Sequence, residues 1–296
     1  MDLFLTVTNC LLLLFWVRLW SRPDRELYFN PFLSAPTRLT DRIIDFLRPA
    51  LPLPDRLLAL LLLLFLLAFR AAALIATHAE LPWQITLGTV FLFMPRTPDV
   101  NSGMIFSLLH FLFFITRYWG VYVLIQCLTP VRRRDRTSEA FRFAARPLSM
   151  LRTWGQILLL LATNGVLVAA LTYFGAPYIH PLTAGTEHLV LPALPATDIH
   201  LPEIALLTLC SIADLLVTAW QLMFSLLIGA FAAAMLQNAL LGTVCNEAVA
   251  TMIGSTRKRL IVGVIDFTPL LYMLSAHLLY TAVAMPILRA ALQSLR

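Results

Sequence analysis

Four polar side chains stand inside long apolar runs of the sequence, where they could take part in moving ions or protons across a membrane. His110 and Arg117 are two helical turns apart on one face of an apolar run, and Asp214 and Gln221 have the same spacing in a later run. A charge in the middle of a membrane-spanning helix costs about 2.5–3.5 kcal/mol, so such residues need a function or a partner. We interpret Arg117 and Asp214 as an ion pair that clamps two helices together. The alternative is that the four residues line a polar path for ions.

A further charged residue, Arg70, lies near the C-terminal end of another apolar run. A long basic side chain near a helix end can extend its charge to the membrane interface. We therefore predict that Arg70 points outward and belongs to no site. Ser225, Gly229 and Ala233 recur every four residues, which predicts close packing against another helix.

Residues that could bind a metal ion are concentrated in one proline-rich stretch. They are His180, Glu187, His188, Asp198, His200 and Glu203. The stretch lacks the helical HExxH spacing, so we interpret it as a solvated loop and predict no metal site. CxxC spacing is also missing among the four cysteines, Cys10, Cys127, Cys210 and Cys245, which we interpret as buried small apolar side chains.

Motifs typical of enzymes are missing from the sequence. It contains no GxxxxGK[ST], no Rossmann glycine pattern, no GxSxG and no paired carboxylates within one apolar run. We therefore expect a protein that is not an enzyme and that binds no cofactor.

The composition is that of an integral membrane protein. Hydrophobic residues make up 59% of the chain and charged residues 13%, with a mean hydropathy of +0.81. A membrane-spanning helix needs about 20 apolar residues. Six runs approach or reach that length: residues 3–20, 57–77, 104–128, 154–174, 204–241 and 264–287. We predict an all-α transmembrane bundle of about six spans. In the long fifth run, residues 213–235 are expected to be the span and residues 204–212 an interfacial or re-entrant lead-in.

Arginines are concentrated in three of the loops between these runs. The basic positions lie within residues 22–56, 132–152 and 257–259, whereas the other loops hold few. By the positive-inside rule, the three basic loops face the cytoplasm and both termini face outward. We predict a multi-pass protein of the bacterial cytoplasmic (inner) membrane whose arginines contact a bilayer with anionic headgroups. The net charge of +6 then needs no nucleic acid as a partner.

The first basic loop contains an apolar stripe with helical spacing. Leu39, Ile43 and Phe46 recur on one side, among arginines and aspartates, which predicts an amphipathic helix lying in the membrane interface. Similar stripes occur within residues 141–151 and 241–252. Each basic loop is therefore expected to carry one cytoplasmic interfacial helix.

Short motifs in the first basic loop predict where its helices begin. In YFNPF, residues 28–32, we expect Asn30 to cap a helix that begins at Pro31. Pro36 is expected to end a short first turn. Asp55 is expected to cap the span that follows the loop.

A second motif, IDFTP at residues 265–269, opens the last apolar run, with Asp266 expected as the helix cap. Together with YFNPF, the amphipathic helix and the Arg48-Pro49 break, it resembles the YggT family of small bacterial membrane proteins. The positions that carry the resemblance are Asn30, Pro31, Phe32, Asp266, Phe267, Thr268 and Pro269.

The resemblance covers residues 11–69 and 215–279 and implies an organisation in three segments. Residues 1–78 and 204–296 are each a helix–amphipathic helix–helix unit, and residues 79–203 are an inserted middle pair of spans with outer loops. Relatives in this family are linked with envelope organisation or division, with osmotic or potassium tolerance, and with cofactor-complex assembly, and no catalytic residues are established for them.

The function implied is that of a non-enzymatic membrane protein that organises envelope protein complexes or assists their assembly. Its partners would be unknown membrane or cytoplasmic proteins, with a homo-oligomer left open. The alternative is a transporter or channel component, or an accessory to ion (potassium) or osmolyte uptake.

Overall fold

The computed structural model of the chain is an all-α bundle whose helices follow the apolar runs, which confirms the predicted fold class. It describes residues 2–20, 30–77, 84–87, 90–93, 100–128, 136–174, 176–179, 201–253, 260–262 and 265–295. The helices are α1 Asp2–Trp20, α2 Pro31–Leu47, α3 Asp55–Ala76, α4 Val100–Leu128, α5 Arg136–Ala144, α6 Thr153–Phe174, α7 Leu201–Met235, α8 Ala239–Ile253, α9 Thr268–Leu278 and α10 Met285–Ser294. A π-helical segment, Leu279–Ala284, joins α9 to α10 without a break.

Five of the described helices are long and apolar enough to cross a membrane, so the chain is a multi-pass membrane protein. They are α3, α4, α6, α7 and the continuous helix that runs from α9 into α10. The apolar part of α1, Phe4–Trp20, is shorter than these. A sixth span in this first run stays a prediction.

Helix α7 differs from its sequence-based prediction. It is one continuous helix of 35 residues, so the interfacial lead-in expected at residues 204–212 is wrong. Leu207 and Cys210 of this part are buried in a cluster with Phe106 of α4 and Val168 of α6. Because these contacts bury apolar surface inside the bundle, the helix continues through the segment rather than turning along the interface.

Helix α2 runs through Pro36, so the break predicted there is wrong. A proline close to a helix start removes one backbone hydrogen bond. The helix packs against α1 and α3 and buries Thr40 and Ile44, and this burial offsets the lost hydrogen bond.

The three short helices of the basic loops, α2, α5 and α8, lie side by side at one end of the bundle. Helix α5 contacts α2 on one side and α8 on the other. We call α2, α5 and α8 the short-helix layer. The predicted stripes therefore give helices that touch one another, which the sequence did not indicate.

A small antiparallel sheet lies at the opposite end of the bundle. Its strands are β1 Gln84–Leu87, β2 Val90–Phe93 and β3 Ala176–Ile179, in that order across the sheet. Since β1 and β2 follow α3 whereas β3 follows α6, the C-terminal ends of α3 and α6 lie together. A shorter hairpin, β4 Ile261–Val262 and β5 Ile265–Asp266, precedes α9. None of these strands was predicted from the sequence.

Candidate functional site

Arg117 of α4 and Asp214 of α7 form an ion pair inside the bundle. Arg117 Nη2 lies 3.2 Å from Asp214 Oδ2. The other carboxylate oxygen, Oδ1, accepts a hydrogen bond of 3.0 Å from the hydroxyl of Tyr280. Asp214 is buried, whereas the Arg117 side chain stays 27% exposed. The carboxylate therefore joins α4, α7 and the last membrane helix, which is the geometry of a clamp.

Tyr280 is a member of this cluster that sequence reasoning missed. It lies in the π-helical segment between α9 and α10, where the wider turn shifts the register of the helix. A tyrosine within an apolar run carries no charge to single it out, and a π-helical segment has no simple sequence signature. The signal that could have found it is its phenolic hydroxyl, which needs a partner when buried.

Arg70 does not point outward, so the prediction of an interfacial side chain is wrong. It is fully buried between α1, α3 and α4. Its Nε donates to Ser107 Oγ at 3.0 Å, its Nη1 donates to Asn9 Oδ1 at 2.6 Å, and its Nη2 donates to the Ser107 carbonyl oxygen. The guanidinium donates these three hydrogen bonds to α1 and α4, and they replace the hydrogen bonds to water that it would make at the interface.

His110 belongs to this Arg70 cluster rather than to the Arg117 pair. Its Nδ1 lies 3.4 Å from Asn9 Nδ2, and the amide of Asn9 thus connects His110 with Arg70. Seven residues of α4 separate His110 from Arg117, about 10 Å along the helix axis. His110 and Arg117, which the sequence grouped together, therefore lie in separate clusters.

A third polar contact joins α6 to α7 one turn from Asp214. Ser211 Oγ donates to Asn164 Oδ1 at 2.9 Å, and the Asn164 amide donates to the Leu160 carbonyl oxygen at 2.9 Å. Both residues are buried. Their hydrogen bonds are satisfied by each other and by the helix backbone, which fits a role in helix packing.

Gln221 stands apart from all three polar contacts. Its side chain is exposed on the outer surface of α7. The four residues His110, Arg117, Asp214 and Gln221 therefore do not line one path. Among them, only Arg117 and Asp214 are in contact.

Ion pairs also fix the end of the bundle next to the short-helix layer. Arg18 of α1 lies 2.7 Å from Asp41 of α2 and 3.6 Å from Asp55 of α3. Arg48 lies 2.7 Å from Asp55 and 3.0 Å from Asp45. The hydrogen bond to Asp55 raises the pKa of the Arg48 guanidinium above its ordinary value. Asp55 is not the N-cap expected from the sequence, because Pro54 precedes the helix and the carboxylate binds the two arginines instead.

The YFNPF motif does mark a helix start. The carbonyl oxygen of Asn30 accepts hydrogen bonds from the backbone N–H groups of Leu33 and Ser34, and Pro31 is the first residue of α2. The side chain of Phe32 lies outside the described parts of the chain.

In the IDFTP motif, Asp266 is not the helix cap that the sequence predicted. It belongs to β5, opposite Ile261, and Phe267 occupies the N-cap position of α9. The hydroxyl of Thr268 accepts the N–H of Leu260 at 2.9 Å, so the motif ties the hairpin to the helix start. Pro269 lies in the first turn as expected.

The metal-capable stretch is mostly outside the described residues. His180, Glu187, His188, Asp198 and His200 are not described, and Glu203 is buried in the first turn of α7. Within the described ranges no three His, Cys, Asp or Glu residues group as a metal site. Among the cysteines, Cys210 and Cys245 are buried as predicted, whereas Cys10 and Cys127 are exposed, because their helix faces point out of the bundle.

Comparison with protein-family models, with curated proteins and with solved structures finds no match to this chain. The resemblance to the YggT family accordingly stays a prediction from the two motifs.

Proposed function

We propose that the chain is a non-enzymatic protein of the bacterial inner membrane that organises envelope protein complexes or assists their assembly. Its short-helix layer would face the cytoplasm and serve as the docking surface, with both termini outside. The observation that supports this is the arrangement of α2, α5 and α8, which touch one another in one row at the arginine-rich end of the bundle.

Helix α2 presents apolar side chains outward from this layer. Phe46 is 82% exposed and Leu39 is also exposed, beside the exposed arginines Arg38 and Arg42. On the inner side, the ion pair from Arg18 to Asp41 holds α2 against the bundle. A rigid helix with apolar and basic groups on its outer side fits an anionic lipid surface and the proteins docked on it.

The proposal is tested by the loss of bound proteins when Phe46 is removed. We compare the wild type, Phe46→Ser and a matched variant, Phe65→Ser, which removes a similarly exposed ring from α3. Each full-length protein is crosslinked in native membranes, purified, and its bound proteins are quantified. We expect Phe46→Ser to lose a specific set of bound proteins that the wild type and Phe65→Ser retain. Equal recovery from all three would contradict the proposal.

A second candidate function, a transporter or channel component or an accessory to ion (potassium) or osmolyte uptake, is favoured by the Arg70 cluster. Within the described part of the chain, Arg70 is bound only by uncharged groups of Asn9 and Ser107 and by no carboxylate. A buried charge without a counter-ion is costly, and such residues in membrane proteins often belong to an ion path. Potassium flux into proteoliposomes separates the candidates: an ion path predicts flux that Arg70→Gln abolishes, whereas a scaffold predicts no flux in either protein.

A further inference from the structure

One face of α7 carries side chains in the spacing of a coiled coil. The positions follow one another at alternating steps of four and three residues: Val217, Gln221, Phe224, Ile228, Phe231 and Met235. This is the spacing of the a and d positions through which two helices pack side by side along their length. We call these six residues the α7 seam.

Most of the α7 seam is uncovered in the protein. The exposed fraction of the side chains rises from 45% at Phe224 to 68% at Phe231 and 72% at Met235. The opposite face of the same helix is occupied by α8. Of the three residues predicted to pack closely against another helix, Ser225, Gly229 and Ala233, the last two contact α8. A Cβ added to Gly229 would lie 2.9 Å from Cys245 Sγ, and Ala233 approaches Gly242. The α7 seam thus faces away from the hairpin that α7 and α8 form.

Lipid tails alone do not account for this apolar face. Helix α7 has 35 residues, or about 52 Å, against a hydrocarbon core of about 30 Å. Met223 packs in a cluster with Ile125, near the end of α4, and Met273, near the start of α9. Residues 224–235 continue for about 18 Å past this level and contain no charged side chain. This end of α7 is paired with α8 on one side but projects past the described ends of α4 and α9, so its opposite, apolar face needs a protein surface to cover it.

Gln221 indicates what kind of surface this is. It occupies a seam position, it is exposed, and among the described residues nothing hydrogen-bonds to its carboxamide. A polar side chain at such a position binds across a helix pair and fixes the register. A carboxamide has both donors and an acceptor, so it pairs well with an identical carboxamide.

A second copy of the chain meets these requirements. Copies inserted in one membrane share an orientation, so a two-fold axis along the membrane normal makes their α7 helices parallel. In a parallel pair each a or d residue faces its own counterpart, and the α7 seam contains no charge that would repel itself. We infer that the α7 seam binds the α7 seam of a second copy, with the two Gln221 carboxamides hydrogen-bonded to each other.

Disulfide crosslinking in native membranes tests this pairing directly. The exposed Cys10 and Cys127 are replaced by serine, and single cysteines are introduced as Ile228→Cys or Phe231→Cys. The control is Val166→Cys, equally exposed on α6. We expect crosslinked dimers from the two seam cysteines and little from the control. No crosslinking at the seam, or equal crosslinking at all three positions, would overturn the inference.

A measurement of dimer affinity tests the role of Gln221. Energy transfer between labelled copies in vesicles reports the dissociation constant of the pair. Gln221→Leu should weaken it by about 3- to 30-fold, whereas Gln221→Asn should stay near the wild type. If Gln221 merely faced lipid, its replacement by leucine would not weaken the dimer. An unchanged or lower dissociation constant for Gln221→Leu would therefore contradict the carboxamide pair. Phe231→Ala should also weaken the dimer and Phe65→Ala should not, with thermal unfolding in detergent confirming that both variants are folded.

Discussion

At the scale of single residues, the contact of Arg117 with Asp214 and Tyr280 decides between a clamp and a conduit. Asp214→Ala leaves the guanidinium of Arg117 without its carboxylate and the hydroxyl of Tyr280 without its acceptor. Because Arg117 is partly exposed, we expect a loss of about 1–3 kcal/mol in the free energy of unfolding rather than the full cost of a buried charge. Arg117→Ala should lose a similar amount, and the double variant should recover part of it. Thermal unfolding in detergent measures all three.

The coupling between the two substitutions separates the interpretations. A clamp predicts a coupling energy of about 0.5–3 kcal/mol and a function that follows the recovered stability. A conduit predicts that the double variant stays inactive although it is folded. Tyr280→Phe is the matched control, since it removes only one hydrogen bond and should cost about 1 kcal/mol. Additive losses from Arg117→Ala and Asp214→Ala would show that the pair does not interact.

What could be predicted about single residues depended on whether their partners are charged. Arg117 and Asp214 were predictable as partners because each is a costly charge in an apolar run and each needs the other. The partners of Arg70 were not predictable, because Asn9 and Ser107 are uncharged. A neutral hydrogen-bond partner cannot be recognised in the sequence, because only the packing of the helices brings it next to the charge.

At the scale of elements, the close approach of α4 and α7 rests on Gly120. A Cβ at this position would overlap Leu215 Cδ2, and Leu215 is buried, so Gly120→Ala must displace that side chain. We expect a loss of about 1–3 kcal/mol in the free energy of unfolding, measured in detergent. Gly165→Ala on α6 is the matched control, because no atom lies within 4 Å of its added Cβ. It should instead gain up to about 1 kcal/mol from helix propensity. Equal effects would mean that the α4–α7 contact is loose.

The existence of the helices was predictable and their limits were less so. Runs of leucine between proline-rich loops left few alternatives for α3 and α6. The length of α7 was misjudged because hydropathy cannot distinguish a segment at the interface from one buried by Phe106 and Val168. Asp266 was misassigned because a short β-hairpin and a helix cap use the same residue types.

At the scale of the whole molecule, the two ends of the bundle should face opposite sides of the membrane. The short-helix layer lies at the arginine-rich end and the β1–β3 sheet at the other, so the positive-inside rule predicts the layer in the cytoplasm. In a background lacking Cys10 and Cys127, Ala50→Cys should react only with a membrane-permeant thiol reagent. Leu201→Cys, next to the sheet, should react with an impermeant reagent in intact cells. Both reacting from outside would contradict this orientation.

The side of the membrane on which the N-terminus lies then shows whether α1 is the sixth span. Helix α1 lies along α3, with Arg18 beside Asp55 at one end and Asn9, in the middle of α1, bound to Arg70. Seven described residues of α1 lie beyond Asn9 and six residues of α3 lie beyond Arg70. Because α1 and α3 thus cover nearly the same depth, α1 should cross the membrane in spite of its shorter apolar length. Phe4→Cys, placed beyond Asn9 in the same cysteine background, should therefore be modified from outside, like Leu201→Cys. Modification only by the permeant reagent, while Leu201→Cys still reacts from outside, would leave five spans and place the N-terminus in the cytoplasm.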